Sequence, residues 1–115
     1  MTKLIIAGGR DFKGTQSDYE LIGKIVKENN IDEIVSGGAT GADKFGETFA
    51  KYEGLKVTKF LPQWDKYGRS AWPRRNAEMA NYADAVVLFR GGAGTASMKA
   101  EATKHGIKIL YEEKE

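Results

Sequence analysis

The chain of 115 residues contains no cysteine and a single histidine. Disulfides and thiolate zinc sites are thereby excluded, and one imidazole cannot build a histidine-rich metal cage. The composition still admits a hard cation such as Mg²⁺, held by carboxylates together with the phosphates of a ligand. Long hydrophobic runs are also missing: the apolar stretches are short, and the N-terminus passes from Met1-Thr2-Lys3 straight into one of them. Neither a membrane span nor a signal peptide is expected, and the chain reads as cytoplasmic. Charge of one sign is scarce as well, since 18 basic residues face 16 acidic ones and leave a formal net charge of +2. That balance gives nucleic acid no general electrostatic hold. The length suits one domain over 1–115 with a single core.

What the chain has in excess is glycine. Its 14 glycines amount to about 12% of the residues, against roughly 7% in an average chain. They are not scattered. Leu4-Ile5-Ile6-Ala7 runs into Gly8-Gly9, Glu33-Ile34-Val35-Ser36 into Gly37-Gly38, and Ala85 to Arg90 into Gly91-Gly92. Short apolar runs bounded by turn residues read as strands buried on both faces, as in a parallel sheet covered by helices.

Helical patterns fill the intervals. Ser17 and Glu20 have capping-box spacing ahead of Leu21, Ile22, Ile25 and Val26, and Asn29-Asn30 closes that helix. Thr40 and Asp43 are placed to cap a helix with Ala42, Phe45 and Phe49 inside and Gly54 at its end. A third strand spans Val57 to Leu61, and Pro73 opens a helix reaching about Ala83. Thr95 is placed to cap a last helix that ends at His105-Gly106, with His105 in a structural role favoured by the helix dipole. Ile107 to Tyr111 forms a fifth strand, and Glu112 to Glu115 a solvated tail. Strand alternating with helix in this way predicts a three-layer Rossmann-like α/β sandwich. With a five-stranded parallel sheet in the order 3-2-1-4-5, all three glycine loops meet at the carboxyl ends of neighbouring strands, where such sheets bind ligands.

Bare amides at a helix N-terminus suit an anion, and phosphate is the natural occupant. Two familiar phosphate motifs are nevertheless absent. Gly37 to Lys44 reads GGATGADK, without the lysine-hydroxyl pair of a P-loop, and Gly92-Ala93-Gly94 lacks the third glycine of the dinucleotide fingerprint. The arginines add a second signal. The five of them are Arg10, Arg69, Arg74, Arg75 and Arg90; two flank glycine clusters, and three fall in the stretch Gln63 to Arg75 with Trp64, Tyr67 and Trp72. A guanidinium fork matches phosphate, and aromatics among cations suit a nucleobase. The alternative for Trp64 and Trp72 is a covering role at the sheet edge or in a dimer contact.

Taken together, Gly8-Gly9-Arg10-Asp11-Phe12, Ser36 to Asp43, Pro62-Gln63-Trp64, Pro73-Arg74-Arg75-Asn76 with Met79, and Asp84 ahead of Gly91-Gly92-Ala93-Gly94-Thr95 resemble the YspA-like, YpsA-related branch of the SLOG superfamily. More distantly the chain resembles the LOG phosphoribohydrolases and DprA. The resemblance implies a Rossmann-like domain that binds a nucleotide or nucleotide-derived ligand across its glycine loops. It departs from the LOG pattern PGGxGTxEE at Arg90, Ser97 and Met98, which replace the proline and both glutamates, while Glu101 lies one turn further on.

The expected ligand set is Gly8, Gly9, Arg10, Gly37, Gly38, Thr40, Gly41, Asp43, Trp72, Arg75, Asn76, Gly91, Gly92, Gly94 and Thr95. In this reading, amides of Gly38 to Gly41 and Gly92 to Thr95 hold phosphate, Arg10 and Arg75 neutralise it, and Asp43 accepts a ribose hydroxyl. The chain is then a sensor or sequestering protein. A second reading is a nucleotide hydrolase using Glu101, Asp43 or Asp11 as its acid-base group. A third is single-stranded nucleic-acid binding, which the small net charge makes the weakest. A homodimer or higher homo-oligomer is expected from the general prevalence of such assemblies.

Overall fold

The computed structural model describes residues 2–113. Strand β1 (Thr2–Ala7) is followed by α1 (Gln16–Glu28), β2 (Ile31–Ser36), α2 (Ala42–Glu53) and β3 (Lys56–Lys59). A short helix α3 (Trp64–Tyr67) and a 3₁₀ turn (Gly68–Ser70) then lead into α4 (Ala71–Tyr82), β4 (Ala85–Leu88), α5 (Ala93–His105) and β5 (Lys108–Glu112). The strands form one parallel sheet in the order β3-β2-β1-β4-β5. This is the Rossmann-like arrangement expected from the alternation of elements, with the order reversing between β1 and β4.

The two-residue period of a strand divides the core into two layers. Leu4, Ile6, Ile34 and Val87 pack with Ile22 and Ile25 of α1 and Phe49 and Ala50 of α2. Ile5, Ala7, Val35, Val86 and Leu88 face the other way, onto Met79 and Ala80 of α4 and Met98 and Ala102 of α5. Both faces being covered explains why these strands read as continuous apolar runs.

Element ends differ from the sequence reading in instructive ways. Helix α1 is capped two residues earlier than the Ser17–Glu20 spacing suggests: Thr15 and Asp18 form the reciprocal box, with Asp18 N–H donating to Thr15 Oγ1 at 3.1 Å and Thr15 N–H to Asp18 Oδ2 at 2.9 Å. Two boxes of equal spacing compete there, and the one satisfying both orphan donors wins. Helix α4 starts at Ala71, so Pro73 sits in its first turn, where its missing N–H costs no bond. Helix α5 begins at Ala93 with Gly92 as its cap residue, and Thr95 lies inside the first turn instead of capping it. Of the expected tail, Glu112 pairs with Lys99 at 2.7 Å and Glu113 with Arg90 at 2.9 Å, while Lys114 and Glu115 lie outside the described residues. No helix among the described residues is long and apolar enough to cross a membrane.

One polar group lies deep in the sheet, away from the glycine loops. Glu33 of β2 is 1% exposed and accepts hydrogen bonds from Tyr82 Oη at 2.5 Å and Thr58 Oγ1 at 2.8 Å, with Lys56 Nζ at 3.7 Å. Burial pushes its carboxyl pKa up, but the bonds from Tyr82 and Thr58 and the charges of Lys56 and Lys3 outweigh that and hold it below the ordinary 4.5. A depressed folded-state pKa means that this stabilisation is complete above 4.5 and fades as pH falls through the lower folded value. Tyr82→Phe should therefore cost about 1–3 kcal/mol at neutral pH. Urea unfolding should show the deficit at pH 7 and a smaller one at about pH 3.

Candidate functional site

The three loops at the carboxyl ends of β1, β2 and β4 are tied together through the peptide groups of Gly9. Its N–H donates to Arg90 O at 3.0 Å, and its carbonyl accepts from Ala42 N at 3.2 Å and Phe12 N at 3.2 Å. The β1 loop is thus bonded to the loop before α5 and to the first residue of α2. Close packing follows: a Cβ on Gly91 would come within 2.9 Å of Gly9 Cα, and one on Gly41 within 2.6 Å of Arg10 O. Gly41 also has φ +72°, a left-handed conformation natural to glycine. Beneath the junction Phe12 stacks on Phe89 with centroids 4.5 Å apart.

Around this junction lies a cavity of about 320 Å³, its floor made by Ala7, Met79 and Met98. Gly8, Gly9, Arg10, Gly37, Thr40, Asp43, Trp72, Arg75, Asn76, Gly92, Gly94 and Thr95 all line it, so the structure brings together most of the expected site residues. A second cavity of about 440 Å³ adjoins it, sharing Arg10, Thr40, Trp72 and Arg75 and adding Gly38, Leu61 and Trp64. Gly41 and Gly91 are braces between loops and do not line the main cavity. Asp11 lines neither of these cavities but a hollow of about 270 Å³ with Arg90 and Gly91, which shares Gly9, Arg10 and Gly92 with the first. Glu101 does not line either of the two joined cavities; its carboxylate lies 3.8 Å from His105 Nδ1.

Arg75 is the organising side chain. It is 7% exposed, donates from Nη1 to Gly37 O at 2.6 Å and from Nε to Asn76 Oδ1 at 2.9 Å. Asn76 in turn donates to Ser97 Oγ of α5 at 3.1 Å. A chain of bonds therefore runs from the β2 loop through α4 to α5. Ser97, one of the positions where the LOG pattern has an acid, here serves as an acceptor for Asn76. Gly37 makes room for this packing, since a Cβ there would lie 2.8 Å from Arg75 Cζ and 2.9 Å from Asp43 Oδ2.

The loop amides divide into used and open ones. Gly38 N–H donates to Ser36 Oγ at 3.0 Å and Ala39 N–H to Asp43 Oδ2 at 3.1 Å. This corrects the expectation that the Gly38–Gly41 amides act together on phosphate, because the loop spends the Gly38 and Ala39 donors on holding its own shape. Asp43 likewise bonds back to Ala39 and does not cap α2 in the usual sense, the cap residue being Gly41. Open donors remain at α5. Among the described residues, the N–H groups of Ala93, Gly94 and Thr95 have no acceptor in the protein, and Thr95 Oγ1 is buried without a partner. All three residues line the main cavity.

The arginines divide in the same way. Arg90 pairs with Glu113 and lies 4.7 Å over the Phe12 ring, and Arg74 lies 4.3 Å over the Tyr67 ring. Arg10 is exposed, has no ion-pair partner among the described residues, and lines both cavities. Only Arg10 and Arg75 of the five face the site. Sequence reasoning missed the floor residue Met98, the wall residue Leu61, and Ser36, whose hydroxyl donates to Glu47 Oε2 at 2.5 Å while accepting from Gly38. Ser36 carried a usable signal, a hydroxyl ahead of a glycine pair. Among the described residues, no group of three or more acidic or histidine side chains is placed to hold a metal ion.

Burial raises the Asp43 carboxyl above its ordinary 3.8; the Ala39 N–H, the Arg75 charge and the Gly37 N–H oppose the rise and Glu47 adds to it. Burial also lowers Arg75 below its ordinary value, with Asp43 opposing and Arg10 reinforcing. For Asp43 the raised value means that its favourable contribution is complete below 3.8 and is lost as pH rises through the folded value. Asp43→Asn keeps a carbonyl acceptor for Ala39 and removes the buried charge. Its melting temperature should be at or above wild type at pH 7, with that advantage gone near pH 3.

The fold and the family can be compared with known proteins. The chain aligns over 95% of its length with TM1055, a structural-genomics target solved by X-ray crystallography, covering 72% of that chain at 19% identity and a TM-score of 0.72. It aligns over 99% of its length with DNA processing protein A (DprA) from Streptococcus pneumoniae at 18% identity and a TM-score of 0.75. It spans about half of DprA, 51% of that chain. At these identities the likeness is one of fold. No match was found among curated proteins. A family model described as YspA, cpYpsA-related SLOG matches residues 2–67, more than half of the sequence. With its Gly8-Gly9-Arg10 and Ser36-Gly37-Gly38 loops inside the matched region, the chain belongs to the YspA, cpYpsA-related SLOG family.

Proposed function

We propose that this protein binds a nucleotide or nucleotide-derived phosphorylated ligand in the main cavity, as a sensor or sequestering protein. The observation that carries this reading is the open first turn of α5. Its unpaired N–H groups belong to residues that line a cavity flanked by Arg10 and Arg75, and the partnerless Thr95 hydroxyl is buried beside Gly91 at the edge of the same turn. Unpaired donors, the positive end of a helix dipole and two guanidinium groups together favour an anion of high charge density. Family membership supports a nucleotide-related role, and the fold shared with DprA is consistent with it.

Hydrolysis is a second reading, favoured by one observation: Asp43 is a carboxyl in the cavity whose pKa burial raises, a property suited to proton transfer. Glu101 and Asp11 have no comparable position. Incubation with nucleoside monophosphates at high protein concentration, followed by chromatography, would reveal any released base or phosphate. Unchanged substrate is the outcome that binding without turnover requires.

Binding is tested by calorimetry and thermal shift against nucleoside monophosphates, ADP-ribose compounds and cyclic dinucleotides. A ligand at 100 times its Kd should raise stability by about 2.7 kcal/mol. Arg10→Ala should weaken that ligand about 10- to 150-fold, the worth of a hydrogen bond to a charged group. Arg90→Ala, whose cation is held by Glu113, should leave Kd unchanged. Equal losses in the two variants, or no binding by any compound, would contradict the proposal.

A further inference from the structure

The second cavity has a different chemistry from the first. Its outer wall is Leu61, Pro62 and Trp64, and its inner end is Trp72 with Arg10 and Arg75. Leu61 is 63% exposed and Trp64 51% exposed, two of the large apolar side chains this domain leaves facing water. Neither lies loose on the surface. Leu61 sits against the β2 loop, where a Cβ on Gly38 would overlap its δ-methyl group, and Trp64 begins α3 at the cavity mouth. The slot thus has an apolar side made by Leu61, Pro62 and Trp64, faces the β2 loop with Thr40, and includes Arg10 and Arg75 among the residues it shares with the main cavity.

Trp72 fixes how the two spaces relate. Its indole edge rests on Gly94, so closely that a Cβ there would lie 2.8 Å from Cζ2, and the same residue lines the second cavity. Gly94 belongs to the first turn of α5, whose amides are open. The open turn of α5 and the second cavity therefore meet at one side chain, Trp72, which lines both cavities and packs on Gly94.

Resting on the reading that α5 receives a phosphate, we propose that the second cavity is the subsite for the ligand's aromatic base, with Trp64 and Leu61 as its outer wall. The class of ligand is then a phosphorylated nucleoside lying across Trp72, its phosphate at Gly92–Thr95 and its base outside the crevice on the β3 side. A base seated there would cover the exposed faces of Trp64 and Leu61. Base stacking on an aromatic side chain is sequence-tolerant, so the four bases should differ less from one another than any of them differs from a ligand with no base.

The test compares AMP, GMP, CMP and UMP with ribose 5-phosphate by calorimetry, for wild type, Trp64→Ala and Trp64→Phe. Wild type should prefer a monophosphate carrying a base over ribose 5-phosphate by about 5- to 150-fold, the range measured for stacking. Trp64→Ala should abolish most of that preference while leaving ribose 5-phosphate within about two-fold, and Trp64→Phe should restore part of it. Full preference retained in Trp64→Ala, or no preference in wild type, would overturn the base subsite and leave the phosphate site standing. Failure of all five compounds to bind would remove both.

Discussion

Everything at the strand ends depends on the peptide groups of Gly9. Its N–H and carbonyl bond to Arg90 and Ala42, on the two neighbouring loops, and the carbonyl also receives Phe12 N–H. Buried backbone groups left unpaired would be costly, so this junction is both a closure and a demand. It can form only where the loops approach to within backbone contact. Gly41 and Gly91 supply that approach, and the cavity is the space left beside it. The order β3-β2-β1-β4-β5 puts the central strand's loop between the other two, so one residue can reach both.

Once the loops are locked, their polar groups are unequal. The β2 loop turns several donors inward, onto Ser36 and Asp43, and becomes a rigid wall. Arg75 braces that wall from α4 and passes the constraint through Asn76 to Ser97 of α5. Among the described residues, the first turn of α5 presents three consecutive N–H groups without an acceptor, on residues that all line the cavity. Burial opposes the charge of both Asp43 and Arg75, so the site is held partly against its own desolvation cost. Such a cost is common where side chains are arranged for a ligand and not for stability.

The sheet was legible because its strands are buried on both faces, and apolar runs such as Leu4 to Ala7 carry that signal without ambiguity. The glycine pairs after three of them marked the loops that meet at the main cavity. Less could be read about which glycine does what. Gly41, Gly91 and Gly37 serve close packing, and the residues they pack against are distant in sequence, as Gly37 and Arg75 are. Arg90 and Arg10 look alike in sequence, each beside a glycine pair, and diverge because Glu113 arrives beside Arg90 from beyond β5. Leu61 escaped notice for a related reason: it reads as the end of a strand until β3 stops at Lys59 and leaves it facing the cavity. The Thr15 box prevailed over the equally spaced Ser17 pair through the start of the helix, a choice that local spacing does not make.

In the proposed mode of binding, the open first turn of α5 receives the ligand's phosphate. Amide-resolved nuclear magnetic resonance of ¹⁵N-labelled protein during titration with a nucleoside monophosphate tests it directly. The largest shifts are expected at the N–H groups of Ala93, Gly94 and Thr95, with Gly38 and Ala39, already bonded within their loop, moving less. Saturable binding with the main shifts at Gly38 and Ala39, or away from the β4–α5 loop altogether, would contradict it.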